Sequence, residues 1–340
     1  MTRSSPDNRP TLADVAAAAG VSRSLASLAL RGEGNVRAET RARVEKVARD
    51  LDYRPNLAAR SLASSRTATL GAIVGDVTNP LQAQIAKHTA IEAEALGYPA
   101  IVSLDADTDE KAAHALESLL AHRVAGVILI ESPYEKPAIA KIGERIPSVY
   151  IGRLLKIVEI DSVTTDHVAG AALAVDHLVA EGCRSIIHVG GGASPGAERM
   201  RQGYRAAMER HGIGDLIRII EAGFTVDAGA VAGRTIFEAP GPLPDAIFVA
   251  NDLAAIGVMN VAIQHGISIP SQIRIVGYDD VMLARTETLS LSTVNQPARE
   301  LAIRGVRQMV RRLEDPDTPI AKQLVTPQLI VRRTSTAPRN

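Results

Sequence analysis

Cysteine is nearly absent from the 340-residue sequence, since Cys183 is its only one. One thiol cannot form an internal disulfide, which excludes a disulfide-stabilised scaffold and is compatible with a reducing cytoplasm. Nothing in the sequence supports a catalytic role for Cys183, and a structural thiol is the favoured interpretation. The eight histidines follow no metal-ligand spacing, so we predict neither a metal site nor a cofactor.

Tryptophan is missing altogether, and aromatic residues make up only 3% of the chain, so few side chains are available to stack on a sugar ring. Long apolar runs are missing as well. The first residues are polar, without the apolar segment of a signal peptide, and no later run is long enough to span a bilayer. We expect a cytoplasmic protein without membrane contact, and its length predicts two or three globular domains.

Neither sign of charge dominates the chain, whose net charge is zero, yet the two signs are unevenly distributed. Residues 1–66 contain 12 lysines and arginines against 7 aspartates and glutamates, and the remainder is correspondingly acidic. Such asymmetry favours a small module that binds a polyanion, joined to a body that does not touch it. Many solvated helices are also basic, so the pattern of residues, and not the charge alone, has to distinguish a polyanion-binding module from ordinary solvated helices.

Residues 11–54, called the headpiece below, have the pattern of a small all-α helix-turn-helix domain. Thr11 and Asp14 form a capping-box-like start for one helix, Gly20 ends it, and Ser22 can cap a second helix. Apolar residues recur at helical spacing in the first helix, at Leu12, Val15, Ala16 and Ala19. Two short helices joined in this way predict a domain whose second helix enters the major groove of DNA.

The second helix would present Arg23 and Ser24 at its exposed start. Arginine reads guanine O6 and N7 with two hydrogen bonds, whereas serine is a less selective contact. A third amphipathic helix is predicted over about Ala38–Leu51. Its basic residues are open to two interpretations, a solvated face or a DNA-facing one: Arg41, Arg43, Lys46 and Arg49.

Residues 55–66 are predicted to be a hinge, and residues 1–10 a disordered arm. Pro55 ends one element, Asn56 can cap the next, and the alanine-rich run after them makes a helix of about two turns. A helix of this length has only marginal stability in isolation. We therefore expect it to fold when it binds DNA, with Leu62 as an apolar wedge in the minor groove.

From residue 67 onward, apolar strand-like runs alternate with helix-like stretches. The runs are Thr69–Val74, Ala100–Leu104, Gly126–Ile130, Ser148–Ile151, Ser185–Val189, Ala246–Ala250 and Ile273–Gly277. Continuous apolar strands separated by helices predict parallel sheets covered on both faces. About nine such units exceed one compact sheet, so we predict two lobes, each a doubly wound α/β domain.

Polar residues follow several of these strands. They lie in Gly75–Pro80, Gly152–Arg153, Asn251–Asp252 and Tyr278–Asp280. Ligands of such folds bind beyond the carboxyl ends of the strands, so together these residues predict a cleft for a hydroxyl-rich or charged small molecule. For Asn79, Asn251 and Asp280 taken singly, a helix cap or turn is an equally good interpretation.

The chain resembles the lactose-repressor (LacI/GalR) family over nearly its whole length. The motifs that carry the resemblance are Thr11–Ala16, Gly20–Ser22, Thr40–Val44, Leu51–Asn56, Ala59–Leu62, Asp76–Pro80, Arg199–Tyr204, Ala250–Gly257, Val276–Asp280, Leu291–Pro297 and Arg333–Thr336. The resemblance implies a ligand-responsive regulator, a homodimer that binds pseudo-palindromic operator DNA, with a sugar or other polar metabolite as effector and no enzymatic activity.

Roles for single residues are also implied by the resemblance. Arg23 and Ser24 would read bases, and Leu62 would intercalate at the operator centre. The other residues placed at the DNA are Ser22, Ser27, Asn35, Tyr53, Asn56 and Ala59. The core would resemble a periplasmic binding protein, with a first lobe of about 67–165 and 297–325 and a second of about 166–296 and 326–340.

In the cleft, the resemblance implies that Asp279, Asn251 and an arginine before Gly203, either Arg199 or Arg201, bind effector hydroxyls or a carboxylate. Phe224 would be an aromatic wall, and Gln296 a crossover or cleft contact. Four residues of the first lobe complete the predicted set: Asp76, Leu81, Gln82 and Arg153.

Several positions depart from the family pattern. The usual Thr-Val-Ser-Arg after the turn is Leu25–Leu28, which removes a familiar base-contacting arginine, and Arg37 stands where a serine is usual. In the core, Leu81-Gln82 replaces an aromatic pair, and Met200 stands where the cleft arginine is usual. Neither operator sequence nor effector can therefore be transferred from relatives.

Two other classes of protein fit the sequence less well. An enzyme would need the Gly190–Gly192 run to be a phosphate loop, but it lacks both Gly-x-Gly-x-x-Gly spacing and a Walker lysine. A solute-binding protein would suit the core alone, yet the basic headpiece and the missing signal peptide count against it.

Overall fold

The computed structural model describes residues 10–31, 34, 36–53, 69–104, 106–132, 134, 136–153, 155 and 160–336. Contacts divide the chain into an N-terminal unit up to residue 67 and a C-terminal unit from residue 68. The predicted hinge and all but one residue of the predicted arm lie outside the described residues. Taken singly, none of the described helices is long and apolar enough to cross a membrane.

The N-terminal unit contains three described helices, α1 (Leu12–Ala18), α2 (Arg23–Arg31) and α3 (Ala38–Asp50). Thr11 and Asp14 form both halves of the predicted capping box at the start of α1, and Gly20 takes the left-handed conformation, with φ of 64°, in the turn to α2. The helices pack around a small core of Val15, Ala16, Ala19, Ala26, Ala29, Val44 and Ala48. The predicted helix-turn-helix is confirmed.

The C-terminal unit alternates strands and helices. Its strands are β1 (Leu70–Val74), β2 (Ala100–Ser103), β3 (Gly126–Ile130), β4 (Ser148–Ile151), β5 (Asp161–Thr165), β6 (Ile186–Gly190), β7 (Arg218–Glu221), β8 (Ala246–Val249), β9 (Arg274–Asp279), β10 (Ser292–Asn295), β11 (Lys322–Val325) and β12 (Gln328–Ile330). Its helices are α4 (Pro80–Ala95), α5 (Asp109–Ala121), α6 (Lys136–Arg145), α7 (His167–Ala180), α8 (Pro195–Arg210), α9 (Val226–Phe237), α10 (Asp252–Gln264) and α11 (Ala298–Glu314), with 3-10 turns at Gly214–Leu216 and Met282–Arg285.

The strands form two six-stranded sheets. The first has the order β11-β5-β4-β3-β1-β2 and is parallel throughout, and the second has the order β12-β10-β9-β8-β6-β7, with only β12 antiparallel. Each sheet has an apolar cluster on both faces, as expected of doubly wound sheets. The predicted fold class is confirmed.

The chain passes between the two sheets three times. It leaves the first sheet after β5, returns after β10 to form α11 and β11, and leaves again for β12. Helix α11 packs on the first sheet, where Leu301, Val306 and Met309 join its apolar cluster. We call the part of the unit around the first sheet the first lobe and the part around the second sheet the second lobe.

Strand β5 is polar in sequence, yet it is buried over its whole length. Its first residue, Asp161, is fully buried and accepts hydrogen bonds from the Arg312 guanidinium at 3.1 Å, from Gln308 Nε2 at 3.1 Å and from the Ala321 N–H at 2.7 Å. These donors compensate the buried carboxylate and tie α11 and the segment before β11 to the start of β5.

Candidate functional site

The start of α2 is the surface expected to face DNA. Ser22, Arg23 and Ser24 are exposed, and the Ser22 hydroxyl accepts a hydrogen bond from the Leu25 N–H at 3.2 Å, which caps the helix. The first turn of α2 contains no acidic residue. The exposed side chains and the positive end of the helix dipole therefore both suit a phosphate-rich partner.

The other residues predicted to lie at the DNA differ in their surroundings. Ser27 is partly exposed on α2, and Tyr53 packs against the headpiece core while its N–H donates to the Ala48 carbonyl at 2.8 Å. Leu28, which stands at a familiar arginine position, lies against Gly34. Four predicted residues lie outside the described part of the chain: Asn35, Asn56, Ala59 and Leu62.

Replacing Arg23 by alanine is expected to weaken operator binding by about 1–3 kcal/mol and to relax specificity at one base pair. The exposed guanidinium at the start of α2 can form two hydrogen bonds to a guanine, and alanine can form none. Fluorescence anisotropy against the operator and its single-base variants measures both effects. Arg205→Ala, which removes an exposed arginine from α8 of the C-terminal unit, is the matched control and should leave operator binding unchanged. A uniform loss across all sequences would make Arg23 a phosphate contact.

In the C-terminal unit, polar residues of the first lobe lie beyond the carboxyl end of β1. The Asp76 carboxylate accepts hydrogen bonds from the N–H and hydroxyl of Thr78 at 2.8 and 2.6 Å, and the Asp76 N–H donates to Gln82 Oε1 at 2.8 Å. Asn79 caps α4 through the Leu81 N–H. Leu81 itself is buried in the apolar cluster of the first sheet, which assigns it to the core of the lobe.

Arg153 follows β4 at the same edge. Its guanidinium lies over the Tyr150 ring, 4.9 Å from the ring centroid, and donates a hydrogen bond to the Tyr134 carbonyl. The Tyr150 hydroxyl donates to the Ser132 carbonyl at 2.7 Å. These contacts hold the Arg153 side chain along the edge of the sheet.

Glu131, which follows β3, was not among the predicted site residues. It adopts a left-handed conformation, with φ of 45°, and its side chain packs so closely on Gly152 that a Cβ there would overlap the carboxyl group. Burial raises the pKa of Glu131 to about 7, although the nearby Arg153 guanidinium acts in the opposite direction. A carboxyl with this pKa exchanges its proton near neutral pH.

In the second lobe, Phe224 packs on Gly191, where the ring leaves no space for a Cβ. Asn251 makes two hydrogen bonds within the fold: its Nδ2 donates to the Phe224 carbonyl at 2.8 Å, and its Oδ1 accepts from the Ala254 N–H at 2.9 Å to cap α10. Asn251 therefore acts as a helix cap, which is one of the two interpretations that its sequence position allowed. Its side chain also holds the Phe224 backbone in place.

Asp279 ends β9 and is only 7% exposed. Gln296 Nε2 donates to its carboxyl oxygen at 2.7 Å. Burial raises the pKa of Asp279 well above its ordinary value, and the carboxyl groups of Asp252 and of Glu131 in the first lobe raise it further.

The structure distinguishes the two arginines before Gly203. Arg201 donates to the Gly192 carbonyl at 2.8 Å and forms ion pairs with Glu198 at 2.9 Å and Glu221 at 3.1 Å. Arg199 Nε is buried and has no hydrogen-bond partner among the described residues. Arg199 is therefore the one with hydrogen-bonding capacity to spare.

His167, the first residue of α7, lies where the chain passes from the first lobe to the second and was not predicted. Its Nδ1 lies 3.2 Å from the Tyr278 hydroxyl of β9, and the Gly152 carbonyl of the first lobe also faces the ring. Burial lowers the pKa of His167 to about 4, and the Arg199 charge acts in the same direction. The ring is therefore neutral at neutral pH and links the two lobes.

A cavity of about 300 Å³ lies at the opposite edge of the first sheet, beside the starts of β4 and β5. Its two arginines are both paired, Arg312 with Asp161 and Arg145 with Glu117. The edge with Glu131 and Asp279 has polar groups with fewer partners, so it is the stronger candidate for a ligand site.

Comparisons with known proteins agree with both parts of the structure. Residues 11–56 match the family of bacterial regulatory proteins of the lacI type, and residues 175–335 match the periplasmic binding protein-like domain. The chain is 30% identical to the ribose operon repressor of Halalkalibacterium halodurans, over 97% of this chain and 98% of that protein.

Two solved structures are similar as well. The lac repressor dimer bound to operator and the anti-inducer ONPF has a TM-score of 0.84 and 27% identity, covering 97% of this chain and all of that one. A periplasmic binding protein/LacI transcriptional regulator from Alkaliphilus metalliredigens, complexed with D-xylulofuranose, has a TM-score of 0.69 and 30% identity, covering 79% of this chain and all of that one. The chain therefore belongs to the lacI family of bacterial regulatory proteins, and it is a ligand-responsive DNA-binding transcriptional regulator, not an enzyme.

Proposed function

We propose that the protein acts in the cytoplasm as a homodimer on a pseudo-palindromic operator, and that a small molecule between its two lobes sets operator affinity. The observation that supports this most is that polar groups lie at the carboxyl ends of the strands in both lobes, in a chain that also has an exposed helix-turn-helix surface. A single headpiece per chain suits a two-fold operator read by two protomers.

The chain is proposed to consist of a headpiece, a hinge and two lobes. The headpiece spans 11–54 and the hinge 55–66, with Leu62 as the minor-groove wedge. The first lobe comprises about 67–165 and 297–325, and the second about 166–296 and 326–340. Membership of the strands in the two sheets supports these boundaries.

For the effector, we propose a polar metabolite such as a sugar. Contacts would come from Asp76, Gln82 and Arg153 of the first lobe and from Arg199, Phe224, Asp279 and Gln296, whereas Asn251 and Arg201 would hold the site in shape. The ribose repressor and the D-xylulofuranose complex support a sugar-sized ligand. Binding would change the angle between the lobes and thereby the hinges, with a coupling of about 1–3 kcal/mol.

Deletion of residues 1–66 is expected to abolish operator binding while effector binding survives, because the C-terminal unit has its own cores. Operator binding is measured by fluorescence anisotropy, and effector binding by the ligand-induced rise in melting temperature. The full-length chain carrying Arg23→Ala serves as a control with an intact core. Operator binding by the truncated protein would contradict the proposal.

A further inference from the structure

Helix α2 carries three leucines, and only one of them packs into the headpiece core. The core cluster takes Ala26, Ala29 and Leu30 from this helix. Leu25 and Leu28 do not belong to that cluster. Leu28 is two residues from both Ala26 and Leu30, and two residues along an α-helix rotate the side chain by about 200°. Leu28 therefore points away from the core.

Leu28 shares its face of α2 with residues that are exposed for DNA contact. Ser24 is exposed and lies one helical turn before Leu28, and residues four apart share a face of a helix. Leu28 is itself partly exposed and lies beside Gly34, where a Cβ would meet its side chain at 3.5 Å. Glycine brings no side chain that could cover the leucine. Leu28 thus extends the surface at the start of α2 that is expected to face DNA.

An apolar side chain on this surface restricts the base that it can face. Leucine has no hydrogen-bond donor or acceptor, so a polar base edge placed against it would lose water without gaining a partner. Among the four bases, only thymine presents an apolar group in the major groove, its C5 methyl. Contact with that methyl removes apolar surface of both partners from water. Thymine is therefore the base that best suits the position beside Leu28.

We propose that Leu28 reads the methyl group of a thymine in each operator half-site. This rests on the proposed function and assigns a second base to the helix, in addition to the guanine expected at Arg23. Arg23 is in the first turn of α2, and Leu28 follows about one and a half turns later, so the two residues address different base pairs of one half-site. Operator specificity then combines a polar contact with an apolar one.

Selection from a library of random-sequence DNA duplexes by the full-length protein provides the site on which the proposal is tested. Thymines of the enriched site are then replaced one at a time by deoxyuridine, which removes only the methyl group. We expect one such replacement in each half-site to weaken binding of the parent about fourfold, as loss of one methyl contact predicts. In Leu28→Ala the same replacement should have little effect, because the contact is already absent. Fluorescence anisotropy measures both affinities.

Two further measurements separate a base contact from a general loss of the headpiece fold. Leu28→Arg should prefer a G·C pair to T·A at the base pair so identified, because arginine donates two hydrogen bonds to guanine, and a gained preference requires a folded headpiece. Cytosine and 5-methylcytosine at the same position differ in the same methyl, so the parent should bind the methylated duplex about fourfold more tightly. Leu216→Ala, which shortens an exposed leucine of the second lobe, is the matched control and should respond to deoxyuridine as the parent does.

The proposal is overturned if no thymine of the enriched site depends on its methyl group, or if deoxyuridine weakens the parent and Leu28→Ala equally. A loss in Leu28→Ala that is uniform across all base substitutions would also overturn it, because a purely structural leucine gives that result. These outcomes would leave the DNA-binding regulator intact. Failure of the full-length protein to enrich any sequence would instead contradict the proposed function as well.

Discussion

The variant Asp161→Ala is expected to lose about 3–5 kcal/mol of unfolding free energy, because it removes one partner of a buried ion pair. Asp161 is fully buried, and the Arg312 side chain is only 13% exposed. Without the carboxylate, the guanidinium stays buried with a missing anion, and the donors on Gln308 and Ala321 lose their acceptor. Urea unfolding followed by circular dichroism measures the loss.

Glu117→Ala is the matched control, because it removes a carboxylate whose ion pair with Arg145 is exposed on both sides. Exposed pairs typically contribute about 0–1 kcal/mol, so this variant should unfold close to the parent. Equal losses in the two variants would contradict the conclusion that the Asp161–Arg312 ion pair is buried and structurally important. A loss confined to Asp161→Ala would instead show that α11 and the segment before β11 are held by this carboxylate.

The variant Glu131→Gln is expected to be more stable than the parent at neutral and alkaline pH. The folded protein raises the pKa of this carboxyl from 4.5 to about 7, so folding favours the protonated form. The Glu131 contribution to stability is therefore lost in the parent as the pH rises from 4.5 to about 7, and the glutamine variant lacks that particular loss. The difference should reach up to about 3 kcal/mol and stay constant above pH 7.

Melting temperatures of both proteins across pH 4 to 8.5 test this expectation. Asp279, whose pKa is also raised by burial, is present in both proteins, so the difference between their melting temperatures isolates the contribution of Glu131. Glu110→Gln, on the exposed start of α5, should run parallel to the parent at every pH. An offset between Glu131→Gln and the parent that does not change with pH would mean that Glu131 is an ordinary solvated carboxylate.

Much of the fold could be predicted from the sequence, because the central strands are continuous apolar runs. The predicted Gly126–Ile130 and Ser148–Ile151 agree with β3 and β4 residue for residue. Strand β5 was missed because its residues are polar, and they are buried only because Arg312 and Gln308 compensate Asp161. The short β7, β11 and β12 carry too few apolar residues to give a pattern of their own.

The site was less accessible to prediction. Asp76, Arg153 and Asp279 could be predicted as site residues because each is a polar residue at or just after the end of a predicted strand. Glu131 directly follows the predicted strand Gly126–Ile130, which was the available signal, whereas His167 follows β5, a strand that the sequence pattern did not predict. Their importance depends on contacts between segments far apart in the chain, with Gly152 and Tyr278, and those contacts cannot be derived from spacing.

The three passages of the chain between the sheets determine the order in which the protein can be completed during synthesis. Helix α11, which covers one face of the first sheet, is made only after β10 of the second sheet. The last strand of the first sheet begins at Lys322, and that of the second at Gln328. Each lobe therefore lacks its last strand until residues beyond 320 have been synthesised. We expect the two lobes to complete their folding at nearly the same stage of synthesis.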